Sequence, residues 1–339
     1  MKKSAKVALI VAVCLIVIGL LFGGVSLLLN SRRDGGWSVS FRNGLSDIVN
    51  GRESVEFVKR TESFSSAEVK SLELATVATD IKLVAGSSSQ YRVTCYENED
   101  RWYDIELDGG RLKIKEQNKP GFSDTHISIF DGNEQYTVTV EVPAKCAAVS
   151  AATVSGDVYI PALTIDGGIS AATTSGDIFV SDGAEIFGGV SIATTNGDVS
   201  FSGTIEGGFS CTKTSGDLSF SGEAESFSVK TTSGDLVLSG CAFSGKVDVT
   251  TVSGEIVADG FVCGPLKLKT TSGDISVRGL ESGEIDIDTT SGDVALTMTD
   301  PDAYKYEIKS TAGDVRVPYG SSSGVVCDVH SISGDVVIG

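Results

Sequence analysis

Residues 230–240 read KTTSGDLVLSG, and stretches very similar to this one occur ten times along the chain. Apolar and polar residues alternate on both sides of the central Ser-Gly-Asp. This period of two is typical of strands with one buried face, because successive side chains of a strand point to opposite faces. Glycine accepts a positive φ in a tight turn without steric cost. The stretch therefore predicts a strand, a tight turn and a second strand.

The acidic residue that closes the motif sets the register of the repeat. Gly precedes the acid in all ten copies, and successive acids are 18 to 21 residues apart. The residues six and eight positions before the acid are apolar, as are those one and three positions after it, whereas the residue seven before is polar. The ten acids are Asp157, Asp177, Asp198, Asp217, Asp235, Glu255, Asp274, Asp293, Asp314 and Asp335.

One repeat cannot bury its apolar face alone, but stacked repeats can. We therefore predict an all-β fold in which residues 146–339 form a parallel β-solenoid of about ten coils. At about 4.8 Å per coil, ten coils make a rod roughly 48 Å long. The alternative is a series of antiparallel hairpins in a sandwich or propeller. The uniform columns favour the solenoid.

The column of acids has a structural and a functional interpretation. Stacked in register, like charges about 5 Å apart repel by roughly 0.8 kcal/mol per pair in water. The favoured hypothesis is that each carboxylate accepts hydrogen bonds from turn N–H groups and shapes the turn. The alternative is a cation ladder, with calcium bound between coils. Calcium prefers six to eight oxygen ligands, and one carboxylate per coil supplies few. We therefore predict no cofactor.

The start of the chain has the pattern of a membrane segment. The run from Val7 to Leu29 contains no charged residue, and as a helix it would be roughly 34 Å long, enough to cross a bilayer core. Three lysines precede it, which favours a cytoplasmic N-terminus at residues 1–6 and an ectodomain outside the cell membrane. We predict an uncleaved single-pass anchor; the alternative is a cleaved signal peptide.

The segments between the anchor and the repeats have other patterns. Residues 30–66 are predicted to form a juxtamembrane stalk. Residues 67–145 contain strand patterns without the repeat motif, and Asp-Gly-Gly at 108–110 is a hairpin signal. This segment is predicted to be a β cap, because solenoid ends expose unpaired strand edges. At the other end the strand containing Val336 and Ile338 is expected to offer an open edge for self-association or a partner strand; the alternative is an edge blunted by twist and brevity.

The composition argues against several function classes. The chain has two histidines, His126 and His330, and no arrangement of nucleophile and base. We predict that it is not an enzyme; paired carboxylates of a glycoside hydrolase are the alternative ranked last. The net charge is −18, of which residues 67–339 carry −22 and residues 1–66 carry +4. This charge excludes nucleic acid as a partner and would attract cationic peptides.

Six cysteines follow the apolar segment, and their spacing shows neither a C-x-x-C pair nor a metal-binding pattern. Cys211 occupies an apolar column of the repeat, which indicates buried small residues; a disulfide framework is the alternative. The six are Cys95, Cys146, Cys211, Cys241, Cys263 and Cys327.

The tandem Thr-Thr-Ser-Gly-Asp repeats follow DIKLVAG at residues 80–86, GGRLKIKE at 109–116 and YTVTVEVP at 136–143. Together, behind one apolar segment, they resemble the bacterial "putative adhesin" family of surface domains, over about residues 61–339. The resemblance implies a β-solenoid, no enzymatic activity and a cell-envelope location. Some relatives are linked to envelope-stress and antimicrobial-peptide responses.

Three functions follow as expectations. The first is a membrane-anchored surface protein that serves as an adhesin or binding platform for a wall polymer or another surface ligand. The second is an envelope-stress component that senses or sequesters cationic antimicrobial peptides. The third is a self-assembling structural protein of the envelope.

Overall fold

The alternating columns of the repeats become parallel strands stacked in register. In this computed structural model, which describes residues 56–119 and 134–339, Ile169 pairs with Val190 and Ser170 with Ser191, so equivalent positions lie side by side. The same register continues from coil to coil, and all the described strands join one sheet. The predicted β-solenoid of about ten turns is confirmed, and the hairpin alternative was wrong because the repeats pair in parallel.

Each full coil has three strand segments, which we call sides A, B and C. Side A precedes the Ser-Gly-Asp turn, side B follows it, and side C closes the coil. Between β21 (Ile256–Ser272) and β22 (Ile275–Ser291) the pairing runs through three stretches of β21, at 256–259, 261–263 and 265–272, one for each side.

The repeat strands follow one another around the coils, and β21 and β22 each run through all three sides. They are β8 (Lys145–Cys146), β9 (Ala148–Ala152), β10 (Val158–Ile160), β11 (Thr164–Ile165), β12 (Ile169–Thr173), β13 (Ile178–Ile186), β14 (Val190–Thr194), β15 (Val199–Ile205), β16 (Gly208–Lys213), β17 (Leu218–Ala224), β18 (Ser226–Lys230), β19 (Leu236–Phe243), β20 (Val247–Thr250), β21 (Ile256–Ser272), β22 (Ile275–Ser291), β23 (Val294–Met298), β24 (Tyr304–Ala312), β25 (Val315–Arg316), β26 (Val325–Ser333) and β27 (Val336–Ile338). A short 3₁₀ helix, Pro301–Ala303, precedes β24.

The apolar columns form the core along the rod. Phenylalanines fill its middle: Phe201 stacks on Phe220 at 5.0 Å between ring centroids, and Phe209 stacks on Phe227 at 5.1 Å. The six cysteines at and beyond Cys95 are buried and free, so their assignment to the core is confirmed. Burial raises the pKa of the Cys211 thiol to about 12, as expected for an inert core residue.

The described residues before the repeats, 56–119 and 134–143, form seven strands and another 3₁₀ helix, Glu134–Tyr136. The strands are β1 (Val58–Ser65), β2 (Ser71–Ala75), β3 (Asp80–Ala85), β4 (Gln90–Glu97), β5 (Arg101–Asp108), β6 (Arg111–Asn118) and β7 (Thr137–Val142).

Two of these strands form a coil of the solenoid. β2 pairs in parallel with β9, and β3 pairs in parallel with β10, so residues 71–85 continue sides A and B by one coil. Beyond them lie β6 and β7, also parallel, and then antiparallel strands: β5 on β6, β4 on β7, and β1 on β4. Gly109 and Gly110 both have positive φ in the β5–β6 turn, as the hairpin signal predicted.

The predicted boundaries at this end need correction. Residues 58–65 were assigned to the stalk, but they form β1, whose eight residues all pair with β4. Their polar sequence hid the strand, since β1 pairs along one edge and has few buried side chains.

The last two coils are stacked in the reverse of their sequence order. On side A, β26 lies between β22 and β24; on side B, β27 lies between β23 and β25. The strand of Val336 and Ile338 is therefore internal, and its predicted role as an open edge was wrong. The free edge belongs to β24 and β25. Pro318 follows β25, and an outermost strand tolerates proline because its missing N–H is not needed for pairing.

The described residues contain no helix that is long and apolar enough to span a membrane. The predicted cytoplasmic segment at 1–6, the membrane segment at 7–29, most of the stalk and His126 lie outside the described residues.

Candidate functional surface: the acid ladder

The ten acids predicted from sequence form one continuous line along the corner between sides A and B. We call this line the acid ladder. Each acid follows a glycine that lies against the glycine of the neighbouring coil. A Cβ on Gly176 would come within 1.9 Å of the carbonyl oxygen of Gly156, and one on Gly234 within 1.8 Å of that of Gly216. Close approach between coils, rather than φ alone, explains why glycine recurs at this position.

The turns take two forms along the rod. In the first coils a buried threonine accepts a hydrogen bond from the glycine N–H, as between Thr173 and Gly176 at 2.9 Å. From Gly216 onward the turn glycines before the ladder acids have positive φ. The hydroxyl of Thr231 donates instead to the carbonyl of Ser233 at 2.9 Å. The positive φ expected from sequence therefore holds for the later coils only.

Hydrogen bonds between coils fix the ladder carboxylates. Oδ1 of Asp157 accepts a hydrogen bond from the backbone N–H of Asp177, and Oδ1 of Asp177 accepts one from the N–H of Asp198, both at 2.8 Å. Such charge-assisted bonds offset the repulsion between stacked carboxylates. The acids accept turn N–H groups, as predicted, but the donor belongs to the neighbouring coil. The same bond recurs in the pairs 198–217, 217–235, 235–255, 274–293, 293–335 and 335–314 at 2.7–2.8 Å.

The ladder begins one coil earlier than the sequence motif. Oδ1 of Asp80 accepts a hydrogen bond from the N–H of Asp157 at 2.9 Å. Thr79 stands where the other coils have glycine, and its carbonyl oxygen is the atom that a Cβ on Gly156 would approach to 2.3 Å. The sequence motif does not include Asp80, because its coil lacks the glycine. Its flanking column residues Leu72 and Ile81 were the signal that could have found it.

One step of the ladder is missing. Within residues 134–339, the backbone N–H of Asp274 has no hydrogen bond to the side chain of Glu255, the one ladder position occupied by glutamate. The N–H of Glu255 still donates to Asp235 at 2.8 Å. The longer side chain therefore breaks the line of bonds on one side only and divides the ladder into two runs.

The second carboxylate oxygens leave the ladder with a line of negative charge. From Asp198 onward the ladder acids are exposed. At the buried end, Oδ2 of Asp157 accepts the hydroxyl of Tyr159 at 2.9 Å. Burial raises the pKa of Asp177, the hydrogen bond from the Asp198 N–H opposes this shift, and the neighbouring carboxylates add to it. Among the described residues, no group of three or more His, Cys, Asp and Glu side chains is arranged to hold a metal ion.

Lys213 lies beside the ladder and is buried in the threonine column. Its side chain is 5% exposed, and Nζ has no hydrogen-bond partner. Burial lowers its pKa, and the nearby charges of Asp198 and Asp217 are among the effects that oppose the shift. The sequence showed Lys213 as an exception in its column but did not show that its ammonium group is enclosed.

The outer surface of side A changes character along the rod. In the early coils it presents serine and small residues, whereas the later coils carry ion pairs between neighbouring strands. Lys267 forms an ion pair with Asp286, and Nζ of Lys269 lies 4.0 Å from Oδ2 of Asp288. His330 is half-buried, with Nε2 3.0 Å from a carboxylate oxygen of Asp328. Exposed pairs of this kind contribute little stability, about 0–1 kcal/mol each.

The outer surface of side B carries one feature that the sequence analysis missed. The rings of Tyr159 and Phe179 stack on neighbouring coils with centroids 5.1 Å apart, and Tyr159 is 36% exposed. Later coils have Ser200 and Ser219 at this position. The signal was available, since both aromatic residues stand two positions after a ladder acid.

The profile of the family described as Toastrack DUF4097 matches residues 69–338. No curated protein matches the chain.

The solved structures similar to it include the following three. A putative cell adhesion protein from Clostridium sporogenes is 9% identical, with a TM-score of 0.26, and the match covers 84% of this chain and 99% of that one. A putative adhesin from Parabacteroides distasonis is 14% identical, with a TM-score of 0.36, and covers 83% and 97%. A putative lipid binding protein from the same organism is 15% identical, with a TM-score of 0.24, and covers 83% and 94%.

Proposed function

The chain belongs to the Toastrack DUF4097 family, and from its geometry we propose that it is a membrane-anchored, cell-surface binding platform without enzymatic activity. The observation that carries this proposal is the fixed spacing of its outer side chains. Because the coils stack in register, each outer column repeats at about 4.8 Å. An extended polymer of the cell wall or an adhesion ligand can contact many coils at once, so weak contacts add along the rod.

The charge pattern and the apolar segment support the same proposal. The run at 7–29 would hold residues 56–339 outside the membrane, and their negative charge keeps the rod soluble. The stacked pair of Tyr159 and Phe179 provides a flat apolar surface beside hydrogen-bonding carboxylates. Sugar rings present apolar C–H faces of matching shape, and aromatic side chains combine large contact area with a polar edge.

Binding of the full-length chain in lipid nanodiscs to purified cell wall and to extracellular matrix proteins tests the platform. We expect binding to at least one of these polymers. Tyr159→Ser together with Phe179→Ser gives these two coils the residues found at Ser200 and Ser219, and should weaken binding by about tenfold. Val237→Ser, a change on the same side several coils away, is the matched control. Absence of binding to every wall and matrix polymer would contradict the proposal.

A second function, capture of cationic peptides, is favoured by the acid ladder itself. One oxygen of each carboxylate at Asp198, Asp217 and Asp235 accepts a backbone N–H, which fixes the side chain, and the acids from Asp198 onward are exposed. A cationic peptide would therefore meet a line of preoriented negative charges, although salt would screen this attraction over about 10 Å at 0.1 M.

Asparagine substitution separates ladder charge from ladder structure. Asp198→Asn, Asp217→Asn and Asp235→Asn together keep the oxygen that accepts the neighbouring N–H but remove three charges. If the ladder captures a cationic antimicrobial peptide, this variant should bind it at least about tenfold more weakly at low salt. The control for net charge is a triple variant with Asp182→Asn, Glu185→Gln and Glu223→Gln. These three acids are exposed and lie away from the ladder. Equal losses in both variants would show that net charge, not the ladder, is responsible.

A further inference from the structure

We propose that the C-terminal end of the solenoid is an interface between two copies of this chain, formed by antiparallel pairing of β24. This inference goes beyond the proposed function, because it does not depend on the ligand. It follows from the reversed order of the last two coils, which places the coil of residues 304–317 outermost.

The outermost coil exposes residues that every inner coil buries. Val315 and Val317 stand at the two core columns of side B and are 44% and 41% exposed. Val336 and Ile338, at the same columns one coil inward, are 0% and 4% exposed. The core columns of the solenoid therefore end at an exposed apolar surface, which an additional strand would cover.

The backbone at this end is also unpaired on one side. Within the described residues, β24 pairs only with β26, and β25 pairs only with β27. Unpaired N–H and C=O groups in a row form a template for strand addition. The loop before β26 reaches only the beginning of β24, where the N–H of Ser321 donates to the carbonyl of Tyr304 at 2.8 Å.

The charges on β24 select a second copy as the occupant. Lys305, Glu307 and Lys309 alternate along its outer face. In an antiparallel pair centred on Ile308, directly opposite residues share a face, so Glu307 of each copy lies opposite Lys309 of the other. Two opposite-charge pairs form at once, in addition to the ion pair between Lys305 and Glu307 within each strand, whereas an unrelated neutral strand would offer Lys309 no opposite charge.

The opposite end of the rod does not provide an equivalent surface. There the outermost strands are β1 and β5, which run antiparallel to their neighbours. A head-to-tail stack would therefore not continue the columns of the coils. Two copies joined at their C-terminal ends form a closed, two-fold pair.

The mass of the full-length chain in detergent, measured by analytical ultracentrifugation over a range of concentrations, tests the proposal. We expect a dimer for the natural chain. Val315→Lys with Val317→Lys should raise the dissociation constant by at least about tenfold. Val337→Lys is the matched control, since Val337 is 44% exposed but faces outward one coil inward, and it should leave the dimer unchanged.

Charge exchange tests the register. Glu307→Lys and Lys309→Glu should each weaken the dimer, because each places like charges opposite one another twice. Mixing the two variants restores both opposite-charge pairs and should restore association. A natural chain that stays monomeric up to about 100 µM would overturn the proposal. So would a dimer that survives the Val315 and Val317 changes, since that dimer would form through another segment, such as residues 7–29.

Discussion

At the residue scale, the ladder aspartates combine two properties that substitution can separate: a hydrogen-bond acceptor and a charge. Asp177 is the most informative position, because its carboxylate is partly buried between those of Asp157 and Asp198 and still accepts the Asp198 N–H. Asn keeps the acceptor oxygen and removes the charge, whereas Ala removes both.

We expect Asp177→Ala to lower the free energy of unfolding by about 1 kcal/mol, because the Asp198 N–H loses its partner. Asp177→Asn should lower the free energy of unfolding by less.

Since the pKa of Asp177 is raised in the folded state, the natural chain loses stability as pH rises from about 3.9 through that higher pKa. The Asn variant lacks this loss, so its free energy of unfolding should rise relative to that of the natural chain across this pH range. Urea unfolding between pH 3.5 and neutral pH, as a series in steps of about half a unit, measures both effects; a constant difference between the two chains would contradict the prediction.

Lys213 is a buried cation without a hydrogen-bond partner, and replacing it should stabilise the chain. Lys213→Thr restores the residue of the neighbouring coils, and we expect a gain of about 1–3 kcal/mol at pH 7, since an unpaired buried charge is removed. The pKa of Lys213 is lowered in the folded state, so between that pKa and about 10.4 the unfolded chain binds the proton more strongly. The natural chain should therefore gain stability toward pH 10, and the advantage of the variant should shrink.

Thermal unfolding of both chains at pH 7 and pH 10 measures this convergence. Lys230→Thr is the matched control, because Lys230 lies on a neighbouring side A strand but is exposed. A loss of stability in Lys213→Thr, or a gain equal to that of Lys230→Thr, would show that the Lys213 ammonium group is solvated.

At the scale of the structural element, Glu255 marks the one broken step of the ladder. Glu255→Asp should place an Oδ1 atom where the Asp274 N–H can donate to it, as at every other step. We expect a gain of about 0.5–1.5 kcal/mol from the added hydrogen bond. Urea unfolding measures it, with Glu223→Asp, an exposed change outside the ladder, as the control. No gain at Glu255 relative to Glu223 would mean that the backbone there cannot adopt the ladder geometry.

The strands and the ladder could be predicted from sequence to the extent that they repeat. The columns that contain Val249 and Ile256 recur ten times, so their burial and parallel stacking followed from the pattern alone. The coil of Asp80 was missed because Thr79 replaces glycine at the start of the stack, where the Thr79 hydroxyl lies 2.9 Å from the Tyr103 hydroxyl. The donor to each carboxylate was also not predictable, because a repeat seen alone does not show which turn lies above it.

At the scale of the whole molecule, the order of the last two coils is the feature that sequence could not provide. The repeats ending at Asp314 and Asp335 have the same column pattern, and either could follow the coil of Asp293. What separates them is tolerance of an edge: the Asp314 coil is followed by Pro318, which suits an outermost position because its missing N–H is not needed for pairing.

Engineered cysteine pairs distinguish the observed order from sequential stacking. Asp288 pairs with His330, and His330 with Lys309, so Asp288 and Lys309 are two coils apart, about 9.6 Å. A disulfide needs Cα atoms about 4.4–6.8 Å apart. Asp288→Cys with His330→Cys should therefore cross-link on mild oxidation, and Asp288→Cys with Lys309→Cys should not, whereas sequential stacking reverses these outcomes.

Lys269→Cys with Asp288→Cys is the positive control, because these residues pair in either order. Mass spectrometry of proteolytic fragments reads the result, and the six buried native cysteines at and beyond Cys95 should stay unmodified. If Asp288 and Lys309 cross-linked, the free edge would return to the strand of Val336 and Ile338, and the interface between copies would have to be sought there.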